Sequence, residues 1–162
     1  MPGRGYLLLL FLLLSGPCAS AQDVQIGVLG LFHPHQITLS ATRGEAIVVT
    51  AADRNFVLAP GSGVGAAEIR ISGNALLFDF GGEVVQASEI RAAGRNNGPV
   101  NFVLAVPGKI SRFYRGTLVV KAVGGIIVPI VTMDLETAVA STVQAESDPD
   151  APPEALKAQA VV

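Results

Sequence analysis

Residues 100–131 read VNFVLAVPGKISRFYRGTLVVKAVGGIIVPIV. Three apolar, β-branched runs, Val100 to Val106, Ile110 to Ala122 and Ile126 to Val131, are separated only by Pro107-Gly108 and Gly124-Gly125. Such dipeptides mark tight turns, because proline presets one turn dihedral and glycine accepts the positive φ that the next position requires. The stretch therefore predicts consecutive antiparallel strands joined by short turns.

Working toward the N-terminus, the same alternation recurs. Runs rich in aliphatic and β-branched residues cover Val24 to Phe32, Gln36 to Ala41, Ala46 to Thr50, Asn55 to Leu58, Glu68 to Ile71 and Ala75 to Phe80. Arg43-Gly44, Gly61-Ser62-Gly63 and Gly73-Asn74 separate them. His33-Pro34-His35 interrupts the first two, since proline cannot donate to a sheet ladder. Short strands at this spacing point to a β-sandwich or barrel.

Toward the C-terminus the character changes. Glycine disappears after Gly125, and Leu135, Ala138, Val139, Thr142 and Val143 fall at helical spacing behind Asp134, a suitable N-cap. A second helix is expected to start near Pro152-Pro153 and to run through Ala160. From Asp134 to Glu154 there are six carboxylates and no Lys or Arg, read mainly as solvated helix surface and caps. The expected fold class is α+β, a mostly antiparallel β N-terminal region followed by two C-terminal helices. The helical pattern is still running at Val161-Val162, so the domain is expected to be incomplete at its C-terminus.

Composition bounds the function. The chain has 162 residues, of which half are hydrophobic and 15% charged, too apolar for a disordered polymer. A net charge of -2 lacks the basic footprint of nucleic-acid binding. No apolar run approaches the roughly 20 residues of a membrane-spanning helix. Arg4, the apolar Tyr6 to Leu14 and the small residues Ala19-Ser20-Ala21 read as a signal peptide cleaved after Ala21. Cleavage there leaves one unit over 22–162, exported to the periplasm, cell wall or extracellular space. The only cysteine, Cys18, leaves with the signal.

Several motifs are set aside. His33 and His35 lack the further ligands of a metal site. Gly61-Ser62-Gly63-Val64-Gly65-Ala66 matches a dinucleotide fingerprint superficially, but a strand-like segment follows where a phosphate-capping helix is needed. Two histidines in one turn and no retained cysteine offer no nucleophilic catalytic set. No metal and no cofactor are expected.

The string Pro153-Glu154-Ala155-Leu156-Lys157-Ala158-Gln159-Ala160-Val161, preceded by Glu146 and a short proline-containing linker, resembles the signature of the stage II sporulation protein D family, also called the amidase-enhancer family. Tyr114-Arg115-Gly116-Thr117-Leu118-Val119-Val120, the Gly124-Gly125 turn and Leu135-Glu136 extend the likeness upstream. The resemblance implies an exported protein acting on peptidoglycan glycan strands, with a cell-wall amidase as a second partner. It places the family's catalytic glutamate at Glu146. One carboxyl group suffices for lytic transglycosylation, because it can protonate the glycosidic oxygen and then, as a base, free the muramic C6 hydroxyl to close an anhydro ring. Such an acid works best with a raised pKa, and Asp148 and Asp150 are the neighbours that could supply negative charge. Lys157 and Gln159 are candidate glycan contacts, with helix capping and solvation as their alternative. At the level of function, an enzyme, a non-catalytic module that binds peptidoglycan or modulates an amidase, and an inactive fragment all remain open.

Overall fold

A computed structural model describes residues 22–61 and 63–146. Eleven strands occur in it: β1 (Asp23–Gly27), β2 (Gln36–Ala41), β3 (Ile47–Ala51), β4 (Arg54–Leu58), β5 (Ala66–Ser72), β6 (Ala75–Phe80), β7 (Glu83–Ala87), β8 (Glu89–Gly94), β9 (Val100–Val106), β10 (Ile110–Val123) and β11 (Ile126–Asp134). One helix, α1 (Leu135–Glu146), follows. Every strand pairing is antiparallel.

The strands form two layers that share β10. One layer runs β1, β11, β10, β8, β3, β4, and the other β10, β9, β2, β5, β6, β7. The division falls within β10 itself. Ile110 to Gly116 pair with β9, whereas Thr117 to Val123 pair with β11 and, in part, with β8. At the changeover Gly116 approaches the β11 backbone so closely that a Cβ built on it would lie 2.2 Å from the Thr132 carbonyl oxygen. Only glycine fits there. At the β10–β11 turn Gly124 and Gly125 both have positive φ, 59° and 81°, the conformation that closes a two-residue hairpin with the right twist.

Period-two alternation explains the core. β9 is buried at Val100, Phe102, Leu104 and Val106, and β11 at Ile127, Pro129, Val131 and Met133, while the residues between them are only partly covered. Both layers contribute their inward side chains to one apolar cluster, and among the described residues no polar or charged one is buried. Phe56 from one layer meets Phe78 and Phe80 from the other, with ring centroids 5.1 and 5.3 Å apart. On the outer surface beside them, Arg54 of β4 stacks on Phe56 and pairs with Glu83 of β7, tying together two strands that share no ladder.

Three expectations are corrected. The fold class is mostly antiparallel β with one described C-terminal helix, not α+β with two helices. That helix has twelve residues, and among its described side chains Ala138 is the one in the core, whereas the strands supply the rest of the described core. The second expected helix, from Pro152-Pro153 to Ala160, lies outside the described residues, as does the expected signal peptide over 1–21. The strand expected from Val24 to Phe32 ends at Gly27. Gly30–Phe32 is a 3-10 turn flanked by Leu29 and His33 at positive φ, which lets the chain cross from one layer to the other. Finally, β7 and β8 occupy a stretch whose composition signals no strand. β8 sits between β3 and β10, and its outward Glu89 bonds Arg91 and Lys121, so polar side chains stand where a central strand would ordinarily be apolar.

Candidate functional site

The changeover at Gly116 also positions the site. Beyond it, the first half of β10 runs free of β11, and β11 ends by turning into α1. Asp134 caps that helix: its carboxylate accepts the Thr137 N–H at 2.8 Å and the Thr137 hydroxyl. These bonds, the side-chain one foremost, hold the Asp134 carboxyl below its usual range. The Leu135 N–H donates to the Gln22 carbonyl at 2.9 Å, fastening the helix start to the chain before β1. Ala138 seats the helix, and the Ser141 hydroxyl donates to the Ala138 carbonyl at 2.8 Å.

Between α1 and the free half of β10 lies a cleft of about 570 Å³ lined by Arg112, Phe113, Tyr114, Arg115, Met133, Thr137 and Ser141. The Phe113 ring is 61% exposed. Tyr114 is half-buried, its ring 5.9 Å from the core Phe102, and burial pushes its phenol pKa up while the Arg112 charge pulls weakly the other way. The cleft thus combines two aromatic rings, two guanidinium groups and two hydroxyl-bearing helix residues. Aromatic faces can take the apolar face of a sugar or a peptide side chain, and guanidinium forks recognise carboxylates.

Glu146 closes α1, five residues and about 7.5 Å of helix axis beyond Ser141. Its side chain lies outside the described residues, and so do Lys157 and Gln159. The structure therefore brings the backbone of the predicted acid onto the helix that walls the cleft, and places neither predicted glycan contact. His33 and His35 flank Pro34 at a turn, and no group of three metal-binding side chains occurs among the described residues. The glycine-rich segment from Gly61 leads into strand β5, as its sequence context implied. A larger hollow of about 830 Å³ lies among the loops at Gly44–Ala46, Ala59–Gly61 and Gly94–Val100. Its Glu45 carboxylate is already engaged by Asn101, and no aromatic side chain lines it.

Sequence reasoning used Tyr114 and Arg115 as part of a likeness but did not find the cleft. A local signal existed: Ser111, Arg112 and Phe113 are all exposed, breaking the alternation that the rest of β10 obeys.

Comparison with known proteins bears on the same region. No curated protein and no solved structure matches the chain. A family model, SpoIID (Stage II sporulation protein), matches residues 124–162, from the β10–β11 turn through β11 and α1 onward. The matched segment includes Met133, Thr137 and Ser141 of the cleft, together with Glu146, and stops short of Arg112 to Arg115. Over residues 124–162, about a quarter of the chain, the sequence is thus similar to the Stage II sporulation protein family, a sporulation and cell-wall related family.

Proposed function

We propose that this is an exported cell-wall protein that engages peptidoglycan glycan strands and cleaves them as a lytic transglycosylase, with Glu146 as its acid and base. The observation that carries the reading is the family match over the helix that ends in Glu146, with an aromatic and cationic cleft along that helix. In the proposed step the Glu146 carboxyl gives its proton to the glycosidic oxygen as the C1–O bond breaks. The resulting carboxylate takes the proton of the C6 hydroxyl, whose oxygen closes on C1. The product is a 1,6-anhydro sugar, the carboxyl is regenerated, and no water is consumed. Phe113 and Tyr114 would offer faces for the sugar rings, and Arg112 and Arg115 would bind the carboxylates of the polymer.

The test is digestion of purified peptidoglycan by the chain and by Glu146→Gln, with mass spectrometry of the released fragments. Gln keeps the shape and removes the transferable proton. Anhydro-muropeptides from the parent and none from the variant are expected. Release by both proteins would remove Glu146 from the mechanism, and release by neither would leave the non-catalytic reading, in which the cleft binds wall polymer or a partner protein. Co-sedimentation with the same peptidoglycan, reduced by Phe113→Ala, is the expected result for that reading.

A further inference from the structure

The floor of the cleft is a strand edge. Ile110 to Gly116 pair with β9 on one side only, and the Ile110–Val106 pair closes the hairpin. Alternate residues of an antiparallel strand bond to opposite sides, so the even-numbered residues turn toward β9. Ser111, Phe113 and Arg115 therefore direct their N–H and C=O groups to the other side, the side on which β11 pairs with the second half of β10. Among the described residues no backbone or side chain bonds these groups. The open edge is seven residues, roughly 23 Å at strand rise.

Its charge is equally distinctive. Lys109, Arg112 and Arg115 stand within seven positions on a chain whose net charge is -2, and no carboxylate interrupts them. Among the described residues none of the three forms an ion pair, although Asp134 lies near enough to Arg115 to feel its charge. Edge strands that must stay single commonly carry cations, because a second copy would bring the same charges into register. The arrangement thus disfavours self-pairing and favours a strand of opposite charge.

We propose that the open edge of β10 captures an extended acidic peptide segment of a partner protein, which adds to the sheet as a strand beside Ile110–Gly116. Main-chain bonds to Ser111, Phe113 and Arg115 supply the pairing, while Arg112 on one face of the strand and Arg115 on the other, beside Phe113, select carboxylates. This site shares the cleft with the proposed glycan reading but does not rest on Glu146.

The experiment uses a fluorescein-labelled heptapeptide, Val-Glu-Glu-Val-Glu-Glu-Val, which as a strand carries carboxylates on both faces, with the counterpart having Lys for each Glu as charge control. Fluorescence anisotropy gives the affinities and amide hydrogen exchange gives the footprint. The Glu peptide is expected to bind at least tenfold more tightly than the Lys peptide, and to slow exchange at Ser111, Phe113 and Arg115 at least tenfold. Ser111→Pro removes one outward N–H without touching the β9 ladder, and Arg112→Glu reverses one charge. Each is expected to weaken binding tenfold or more. Should Ser111→Pro fail to fold by far-ultraviolet circular dichroism, Arg112→Glu and the footprint decide. Equal affinity for the two peptides, no binding, protection elsewhere, or a concentration-dependent dimer through this edge would each overturn the proposal. Glu146→Gln is expected to leave peptide binding within twofold, so loss of lytic activity and loss of peptide capture are separate results.

Discussion

Replacing Gly116 with alanine tests the argument that the β10 changeover builds both the fold and the site. The added Cβ would sit 2.2 Å from the Thr132 carbonyl oxygen, 3.1 Å from its carbonyl carbon and 3.2 Å from a Val131 methyl. The first contact involves backbone on both strands, so no side chain can rotate away. Relief requires β10 and β11 to part by about 1 Å where Thr117 faces Thr132. Weakening one or two ladder bonds costs about 1 kcal/mol each, and residual backbone strain adds about 1–3 kcal/mol. A loss of about 2–5 kcal/mol is expected on those two terms. Urea unfolding measures it as a fall in the midpoint at constant slope. Gly27→Ala is the control, because a Cβ there meets nothing within 4 Å, and a surface change of that kind shifts stability by less than about 0.5 kcal/mol. A Gly116→Ala protein within about 1 kcal/mol of the parent would refute the close-approach argument, since the two terms together come to at least about 2 kcal/mol.

Other expectations follow from the same geometry. Asp134→Ala should expose the Thr137 amide to rapid hydrogen exchange and reduce ellipticity at 222 nm while leaving the sheet intact. Because the folded Asp134 pKa lies below its unfolded value, the cap's contribution is present above the unfolded pKa and lost as pH falls through the folded one. Acid titration of Thr137 exchange should therefore lose protection below the ordinary carboxylate range, and loss near neutrality would contradict it. Tyr6 and Tyr114 are the two tyrosines of the chain, so Tyr6→Phe isolates the cleft phenol for titration at 295 nm. Its pKa should exceed that of free tyrosine, and the stability linked to it, complete below the unfolded pKa, should disappear as pH rises through the folded one.

Much of the β architecture was legible along the chain because its signals are local. The runs at 100–106 and 126–131, and 110–122 from Tyr114 onward, alternate with period two, and the turns at Pro107-Gly108 and Gly124-Gly125 carry the residues their dihedrals need. Asp134 was readable as a cap for the same reason, since its partner Thr137 is three residues away. Two strands escaped notice. β7 and β8 hold Glu83, Gln86, Glu89 and Arg91, and these polar residues are accommodated by partners distant in sequence, such as Arg54 for Glu83 and Lys121 for Glu89. The helical spacing after Gly125 announced α1.

The sequence by itself determined the alternating apolar faces, the turns that make the strands antiparallel, the helix start and the family resemblance at the C-terminal end. Each depends on residues a few positions apart, where propensity and periodicity act. Only the tertiary structure decided that β10 serves two layers, that Gly116 must be bare, and that Arg112 to Arg115 border a cleft with an open strand edge. Those facts depend on which distant strand lies beside each half of β10. Ladder register and layer packing select that neighbour collectively, through contacts that no local window contains.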